Sequence, residues 1–270
     1  MPHTRPASHA YFALPRPLLF GHRGASGERP ENTLPAFERA VHQGVAALET
    51  DVHLTRDGEV VIFHDALLER TTNGEGPIAE LSLAELRELD AGYRFTADGG
   101  QSFPFRGEGI RVPTLREAFE AFPDLRINVE LKGRGDELIA ATLDLVAPRC
   151  ELTLLAAAED DTMGALRAAV EKRGIEPALG ASAGDVLGFV RAALGEGPRP
   201  PGPMALQIPA RFGDHALVTP ELLRFAQGEG VHVHVWTIND EAEMRRLLAL
   251  GVDGLMSDFP ARLVRVAASM

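Results

Sequence analysis

Along the chain, short apolar runs rich in β-branched residues alternate with longer segments whose apolar positions recur every three to four residues. A period of two marks strands and a period near 3.6 marks helices, so the alternation is the sequence form of a parallel sheet with crossover helices, an α/β fold. Strands are predicted at 17–22, 46–53, 59–63, 126–131, 151–156, 177–181, 204–208, 231–236 and 252–256. A closed (β/α)8 TIM-type barrel needs only eight, so one is surplus. The surplus is assigned to 59–63, because Thr55-Arg56-Asp57-Gly58 is a tight-turn sequence that would fold this run back antiparallel on 46–53. Pairing outward from that turn is expected to bring His64 beside Glu49.

Helix starts are plainest where caps and period agree. Asn32 or Thr33 opens Leu34–His42, Thr114 opens Leu115–Ala121, Thr219-Pro220 opens Glu221–Gln227, and Asp240-Glu241 opens a helix that stops at Gly251. Between His64 and Pro113 the rhythm is interrupted by an amphipathic stretch, Ser82–Leu89, and a segment rich in Gly and Phe at 92–109. Residues 66–112 are therefore expected to be an insertion after the second-strand hairpin of one barrel domain spanning 1–270. The Pro- and Gly-rich run 195–203 is read as a loop, since the strand-helix rhythm resumes after it.

Composition narrows the partners. With 27 basic against 39 acidic residues the chain carries −12, which argues against nucleic acid or an anionic membrane as the main partner and requires any phosphate to be held locally. The single cysteine, Cys150, excludes an internal disulfide or a thiolate metal cluster and is expected to be a buried filler. Neither a secretory leader nor a membrane span is evident, so no stable membrane insertion and a cytoplasmic location are expected. The oligomeric state is not legible.

Chemistry concentrates at strand ends. Glu49 and Asp51 share one face of strand 46–53, about 7 Å apart along it. Two carboxylates facing a barrel interior would pay heavily for desolvation unless a cation joined them. Glu130, at the end of 126–131, is a third carboxylate, with Lys132 on the same face. Three carboxylates without a convincing His or Cys ligand describe a hard, oxygen-preferring site, hence one divalent cation, Mg²⁺ or Ca²⁺. Salt bridges to Arg23 and Lys132 account for the same acids equally simply. His22 and Arg23 follow the first strand, and His64 follows Val60-Val61-Ile62-Phe63. Two histidines can divide proton removal and proton donation, while Arg23 and Lys132 suit phosphate oxygens. His232 and His234 share a strand face and look like a metal pair, a weaker reading than packing. His53 approaches the acid pair, and His3, His9, His42 and His215 are placed at the surface. Trp236 ends its strand and forms either an apolar pocket wall or core packing, and Phe95, Phe103 and Phe105 are expected to pack the insertion onto the barrel.

Taken together, His22-Arg23-Gly24-Ala25-Ser26-Gly27, Pro30-Glu31-Asn32-Thr33-Leu34, Glu49-Thr50-Asp51-Val52, Thr55-Arg56-Asp57-Gly58 and His64-Asp65 resemble the glycerophosphodiester phosphodiesterases. So do Arg70-Thr71-Thr72-Asn73-Gly74, Pro113-Thr114-Leu115, Glu130-Leu131-Lys132, Val235-Trp236-Thr237-Ile238-Asn239 and Gly251-Val252-Asp253-Gly254. The patterns run in family order from residue 18 to about 260, and only 157–203 lacks landmarks. Ala46, where relatives often carry an acid, and Ser257, where threonine is common, depart from the pattern without touching the proposed chemistry. The resemblance implies a barrel that binds a divalent metal at Glu49, Asp51 and Glu130, with His22 and His64 as acid and base and Arg23 and Lys132 on the phosphate. It places Glu31 near the metal or Arg23. The implied reaction converts a glycerophosphodiester to glycerol 3-phosphate and an alcohol. A lysophospholipase D-type activity on the same barrel and a silent phosphate- or polyol-binding barrel are the alternatives, and a metal-dependent sugar-phosphate lyase is a more distant one.

Overall fold

The computed structural model describes residues 9–133 and 135–270. Its strands are β1 (Leu18–His22), β2 (Ala47–Leu54), β3 (Val60–Ile62), β4 (Arg126–Leu131), β5 (Thr153–Ala156), β6 (Ala178–Leu179), β7 (Ala205–Pro209), β8 (Arg211–Phe212), β9 (His215–Ala216), β10 (His232–Trp236) and β11 (Gly254–Ser257). Eight of them run parallel in the order β6-β5-β4-β2-β1-β11-β10-β7. The Met204 amide at the entry to β7 donates to Leu179 O of β6 at 2.8 Å, so the ring is nearly closed. Around it lie α1 (Leu34–His42), α2 (Leu83–Leu86), α3 (Leu115–Ala121), α4 (Asp136–Val146), α5 (Asp160–Arg173), α6 (Ala183–Ala193), α7 (Pro220–Gly228), α8 (Glu241–Leu250) and α9 (Pro260–Ala268).

The period-two pattern separates two apolar layers. Inward residues Phe20, Ala47, Leu154, Ala178, Ala205 and Met256 form one cluster with Tyr11 and Phe12. Their outward neighbours, among them Leu48, Val129 and Leu155 on one side and Leu206, Val233 and Leu255 on the other, pack against the helices. Tyr11 and Phe12, on a 3₁₀ turn at Ala10–Phe12, close the N-terminal end of the barrel. Arg126 anchors that turn by donating to Tyr11 O at 2.6 Å and Ala10 O at 3.1 Å. The floor is therefore apolar with a few buried polar groups, and the opposite end is left for chemistry.

The hairpin assignment holds, with one shift of register. β3 pairs antiparallel with β2, Leu54 opposite Val60 and Val52 opposite Ile62. The Thr55 amide donates to Glu59 O at 3.0 Å, and Gly58, at φ +85°, takes the left-handed position of the turn. Continued downward, this register sets His64 opposite Thr50, not Glu49, because the turn holds one residue more than the expectation assumed. One edge of β2 is taken by β4 from Ala47 to Val52, so β1 and β3 share the other. β1 stops at Glu49 and β3 descends to the Asp51 level, where the Phe63 amide meets Asp51 O at 2.9 Å. His64 is thus delivered to the tip of β1, near His22.

Other differences are local. Thr33, not Asn32, caps α1. The amphipathic stretch at 82–89 makes only the short α2, closed by a reciprocal Ser82–Glu85 capping box. Residues 147–152 form 3₁₀ structure rather than the start of β5, and the hairpin β8–β9 is an element the pattern did not predict, since two-residue strands carry no period. Cys150 is half-buried. Between β3 and α3, Leu68, Ile78, Leu86, Ala91 and Val112 form a small core on Val61 and Phe63 of the hairpin. Phe95 meets Phe105 edge-on at 5.2 Å, and Arg29 of the β1–α1 loop lies over Phe105 at 5.0 Å.

Candidate active site

Barrel strands present their inward side chains in layers, and on β1, β2 and β4 the last layer at the C-terminal ends is polar. Glu49 and Asp51 on β2 and Glu130 on β4 bring one carboxylate oxygen each within 4.8 Å of one another. Glu49 and Asp51 are buried, at 4% and 1% exposure. Burial and then the charge of Asp51 push Glu49 up to about 8, the direction that close carboxylates impose on one another in a desolvated site. Hard oxygen donors, close convergence and an acid held from ionising fit a divalent cation at this cluster.

The ion pairs expected of these acids form within the same cluster. Lys132 Nζ lies 2.9 Å from Glu130 Oε1 and 3.3 Å from Asp51 Oδ1. Arg23 reaches Glu31 Oε1 at 2.9 Å and Asp51 Oδ2 at 3.2 Å. Burial alone would depress Lys132, but Asp51 and then Glu130 outweigh it, and its pKa is raised.

The histidines stand on either side, each with a carboxylate on Nδ1. His22 Nδ1 meets Asp258 Oδ1 at 2.7 Å, and its Nε2 lies 3.8 Å from Glu49 Oε2. Asp258 also accepts from Ser26 Oγ at 2.7 Å and Asn239 Nδ2 at 2.6 Å. Burial works against a charged His22, yet the Asp258 hydrogen bond and the Glu49 charge override it and raise its pKa. His64 Nδ1 meets Asp65 Oδ1 at 2.6 Å. A cleft of about 490 Å³ opens beside it, lined by His64, Asp65, Ala66, Leu67, Glu69 and Arg70. Trp236, 41% exposed at the end of β10, stands on the rim and is not core packing.

The loop after β1 is bent for this purpose. Arg23 (φ +53°) and Asn32 (φ +57°) are the non-glycine residues in the left-handed region among those described. Such conformations cost about 1–3 kcal/mol each and persist where neighbours fix them. Here the Arg23 amide donates to Glu49 O at 2.9 Å, and the Asn32 amide to Arg23 O at 3.0 Å. Freed from capping α1, the Asn32 side chain donates to Asp51 Oδ2 at 2.9 Å and accepts from Thr50 Oγ1 at 2.8 Å.

All eight sequence-derived site residues, His22, Arg23, Glu49, Asp51, His64, Glu130, Lys132 and Trp236, lie at this one end. His53 is buried two residues beyond Asp51 on β2, its Nε2 3.0 Å from His64 O. Glu31 contacts Arg23, as the resemblance implied. Asn32, Asp65, Arg70 and Asp258 join the site without having been given a part in it. The signal for Asp258 and Asp65 was present, because both follow directly on strand ends that carry the histidines or face them. His232 and His234 are at the other end, His42 and His215 are exposed, His9 is half-buried against Glu176 O, and His3 lies outside the described residues.

The family model described as the glycerophosphoryl diester phosphodiesterase family matches residues 22–171 and 199–262. A glycerophosphodiester phosphodiesterase from Caldanaerobacter subterraneus is 32% identical over 261 residues, covering 92% of this chain and 97% of its own. Lysophospholipase D GDPD1 of Mus musculus is 31% identical over 267 residues, covering 90% and 83%. The structure of an Oleispira antarctica phosphodiesterase in complex with the product sn-glycerol-3-phosphate superposes with a TM-score of 0.77 at 30% identity, covering 96% of this chain and 99% of that one. The polar layer at the mouth, the barrel under it and the matched length agree: this chain belongs to the glycerophosphoryl diester phosphodiesterase family.

Proposed function

We propose that the chain is a cytoplasmic, metal-dependent phosphodiesterase that hydrolyses small glycerophosphodiesters to glycerol 3-phosphate and an alcohol. The observation that carries this is the pair of histidines, each fixed through Nδ1 by a carboxylate, flanking a cluster of three convergent carboxylates. Glu49, Asp51 and Glu130 would hold Mg²⁺ or Ca²⁺, which when bound neutralises a phosphate oxygen and acidifies a hydroxyl beside it. Arg23 and Lys132, already among the acids, supply donors to the remaining phosphate oxygens. An Nδ1–H donated to Asp258 or Asp65 leaves Nε2 as the working nitrogen of His22 or His64. One imidazole takes the nucleophile's proton while the other protonates the departing alcohol. Trp236 offers the glycerol or the alcohol an apolar wall. The segment 66–112 is assigned as an insertion within a single barrel domain, one that shapes the cleft beside His64.

The test is release of glycerol 3-phosphate from glycerophosphocholine by metal-stripped protein, with and without Mg²⁺ or Ca²⁺, beside Glu49→Ala. Metal-dependent release that Glu49→Ala lacks supports the reading; turnover that ignores both metal and Glu49 sinks it. A second reading, cleavage of lysophospholipids, draws on the lysophospholipase D relative at nearly the same identity and on exposed Leu67 and Trp236 at the mouth. Comparing kcat/KM on lysophosphatidylcholine and glycerophosphocholine separates the two.

A further inference from the structure

The segment Arg70-Thr71-Thr72-Asn73-Gly74 has no task in the chemistry above, although its turn is firmly built. Thr72 is fully buried, its Oγ1 donating to Leu68 O at 2.9 Å and accepting from the Gly74 amide at 2.9 Å. Asn73 Oδ1 accepts from the Asp90 amide at 2.8 Å. What this turn presents is Arg70. Its Nη1 donates to Glu31 Oε2 at 2.7 Å, its Nη2 to Glu31 Oε1 at 2.7 Å, and its Nε to Asp65 Oδ2. Glu31 Oε1 also takes Arg23 Nη1 at 2.9 Å, and the other oxygen of Asp65 holds His64 Nδ1 at 2.6 Å.

The contacts make one chain from the β1–α1 loop to the end of β3: Arg23, Glu31, Arg70, Asp65, His64. We infer that Arg70 is a positioning residue which, by gripping Glu31 and Asp65 at once, sets Arg23 and His64 in register with each other. This rests on the roles proposed for Arg23 and His64. Without Arg70, Asp65 keeps only His64 as a side-chain partner among the described residues and can rotate with it. Among the described residues Glu31 then keeps only Arg23 and is free to draw that guanidinium into a two-pronged pair of its own, away from the substrate. The grip depends on the planar fork, three donors in fixed directions on two carboxylates, which an ammonium group cannot reproduce.

Because Arg70 touches both arms, its loss is expected to move both kinetic constants. Arg70→Ala, assayed on glycerophosphocholine with Mg²⁺, should lose about 10- to 100-fold in kcat and gain about 10-fold in KM, the scale of broken charge-assisted hydrogen bonds. Its side chain is 47% exposed, so the melting temperature should stay within a few degrees of wild type. Guanidinium ion at low millimolar concentration should restore part of the loss, and sodium chloride at equal ionic strength should not. Arg70→Lys, which keeps the charge, should fail nearly as badly, and glycerol 3-phosphate should bind Arg70→Ala about 10-fold more weakly by calorimetry. Wild-type constants in Arg70→Ala beside an inactive His64→Ala would overturn the clamp and leave the proposed reaction standing. Undiminished turnover in His64→Ala would bring down both. Full activity in Arg70→Lys would also overturn the clamp, since charge alone would then suffice.

Discussion

Two pairs of histidines occupy opposite ends of one barrel, and their surroundings give them opposite chemistry. At the mouth, His22 and His64 each place Nδ1 on a carboxylate. At the floor, His232 stacks on Phe12 with ring centroids 3.9 Å apart, and His234 lies fully buried 5.0 Å from the ring of Phe20. Neither ring nitrogen of His234 has a hydrogen-bond partner among the described residues. Gly254 makes room for it, since a Cβ there would come within 2.9 Å of His234 Cδ2 and 3.0 Å of Phe20. Arg16, bound to Asp253 at 2.6 Å, approaches His232 Nε2 at 3.3 Å, so the carboxylate near that ring is already paired with a cation. Burial pulls His234 down to about 3 and lowers His232 as well, while His22 is raised. Imidazole is held on a carboxylate at one end and is an aromatic filler at the other. The difference lies in which neighbours each strand end can offer.

The comparison breaks most sharply in activity. His22→Ala should reduce kcat by about 10²–10⁴ with the fold intact, the usual worth of a general acid or base, whereas His234→Leu should leave kcat and KM near wild type. Steady-state kinetics on both variants decide it; equal losses would mean the floor pair has a hand in the reaction. The converse perturbation is Phe12→Ala, which empties the floor beneath His232. Truncating a buried phenylalanine costs about 3–5 kcal/mol, read as a drop in the urea midpoint, while kcat/KM of the folded protein is expected to stay unchanged. A fall in turnover matching the fall in stability would show that the two ends are mechanically joined.

Much of this division was legible in the chain, and the part that was not has a physical cause. Glu49, Asp51, Glu130, His22 and His64 could be read because charged or polar residues at barrel strand ends violate the apolar pattern that the interior otherwise demands. His232 and His234 violate it in the same way, so spacing alone offered them as a metal pair. Only the direction of β10 places them at the floor, while Glu49, Asp51 and Glu130 at the mouth are the one carboxylate, histidine or cysteine group convergent enough for an ion among the described residues. The His64 register slipped by one because a single extra turn residue at Arg56–Gly58 is invisible to periodicity. Asp258 and Arg70 escaped because their partners, His22 and Glu31, are 236 and 39 residues away. A strand-end position marks Asp258 as a candidate, but which side chain each of the two meets is set by the fold and not by any local window.

Acid sharpens the comparison by a smaller amount, through stability. In the unfolded chain a histidine titrates near 6.5. His234 stays neutral in the fold down to about 3, so between these values the unfolded state binds a proton that the native state does not. Stability then rises with pH: this contribution is whole above about 6.5 and is lost as pH falls toward 3. The slope for His234 alone is about 1.4 kcal/mol per pH unit, or roughly 2 kcal/mol lost by pH 5. His22 carries the opposite sign, since a raised pKa gives stability that is present below about 6.5 and disappears as pH rises through the folded value. The two ends of the barrel therefore pull the pH profile of the metal-free protein in opposite directions. Urea midpoints between pH 5 and 7.5 should show wild type weakening toward acid and His234→Leu weakening less, by about 1.4 kcal/mol per unit. An unchanged slope in the variant would mean that His234 takes up its proton inside the fold, and the floor would then be a second polar site instead of the dry counterpart of the mouth.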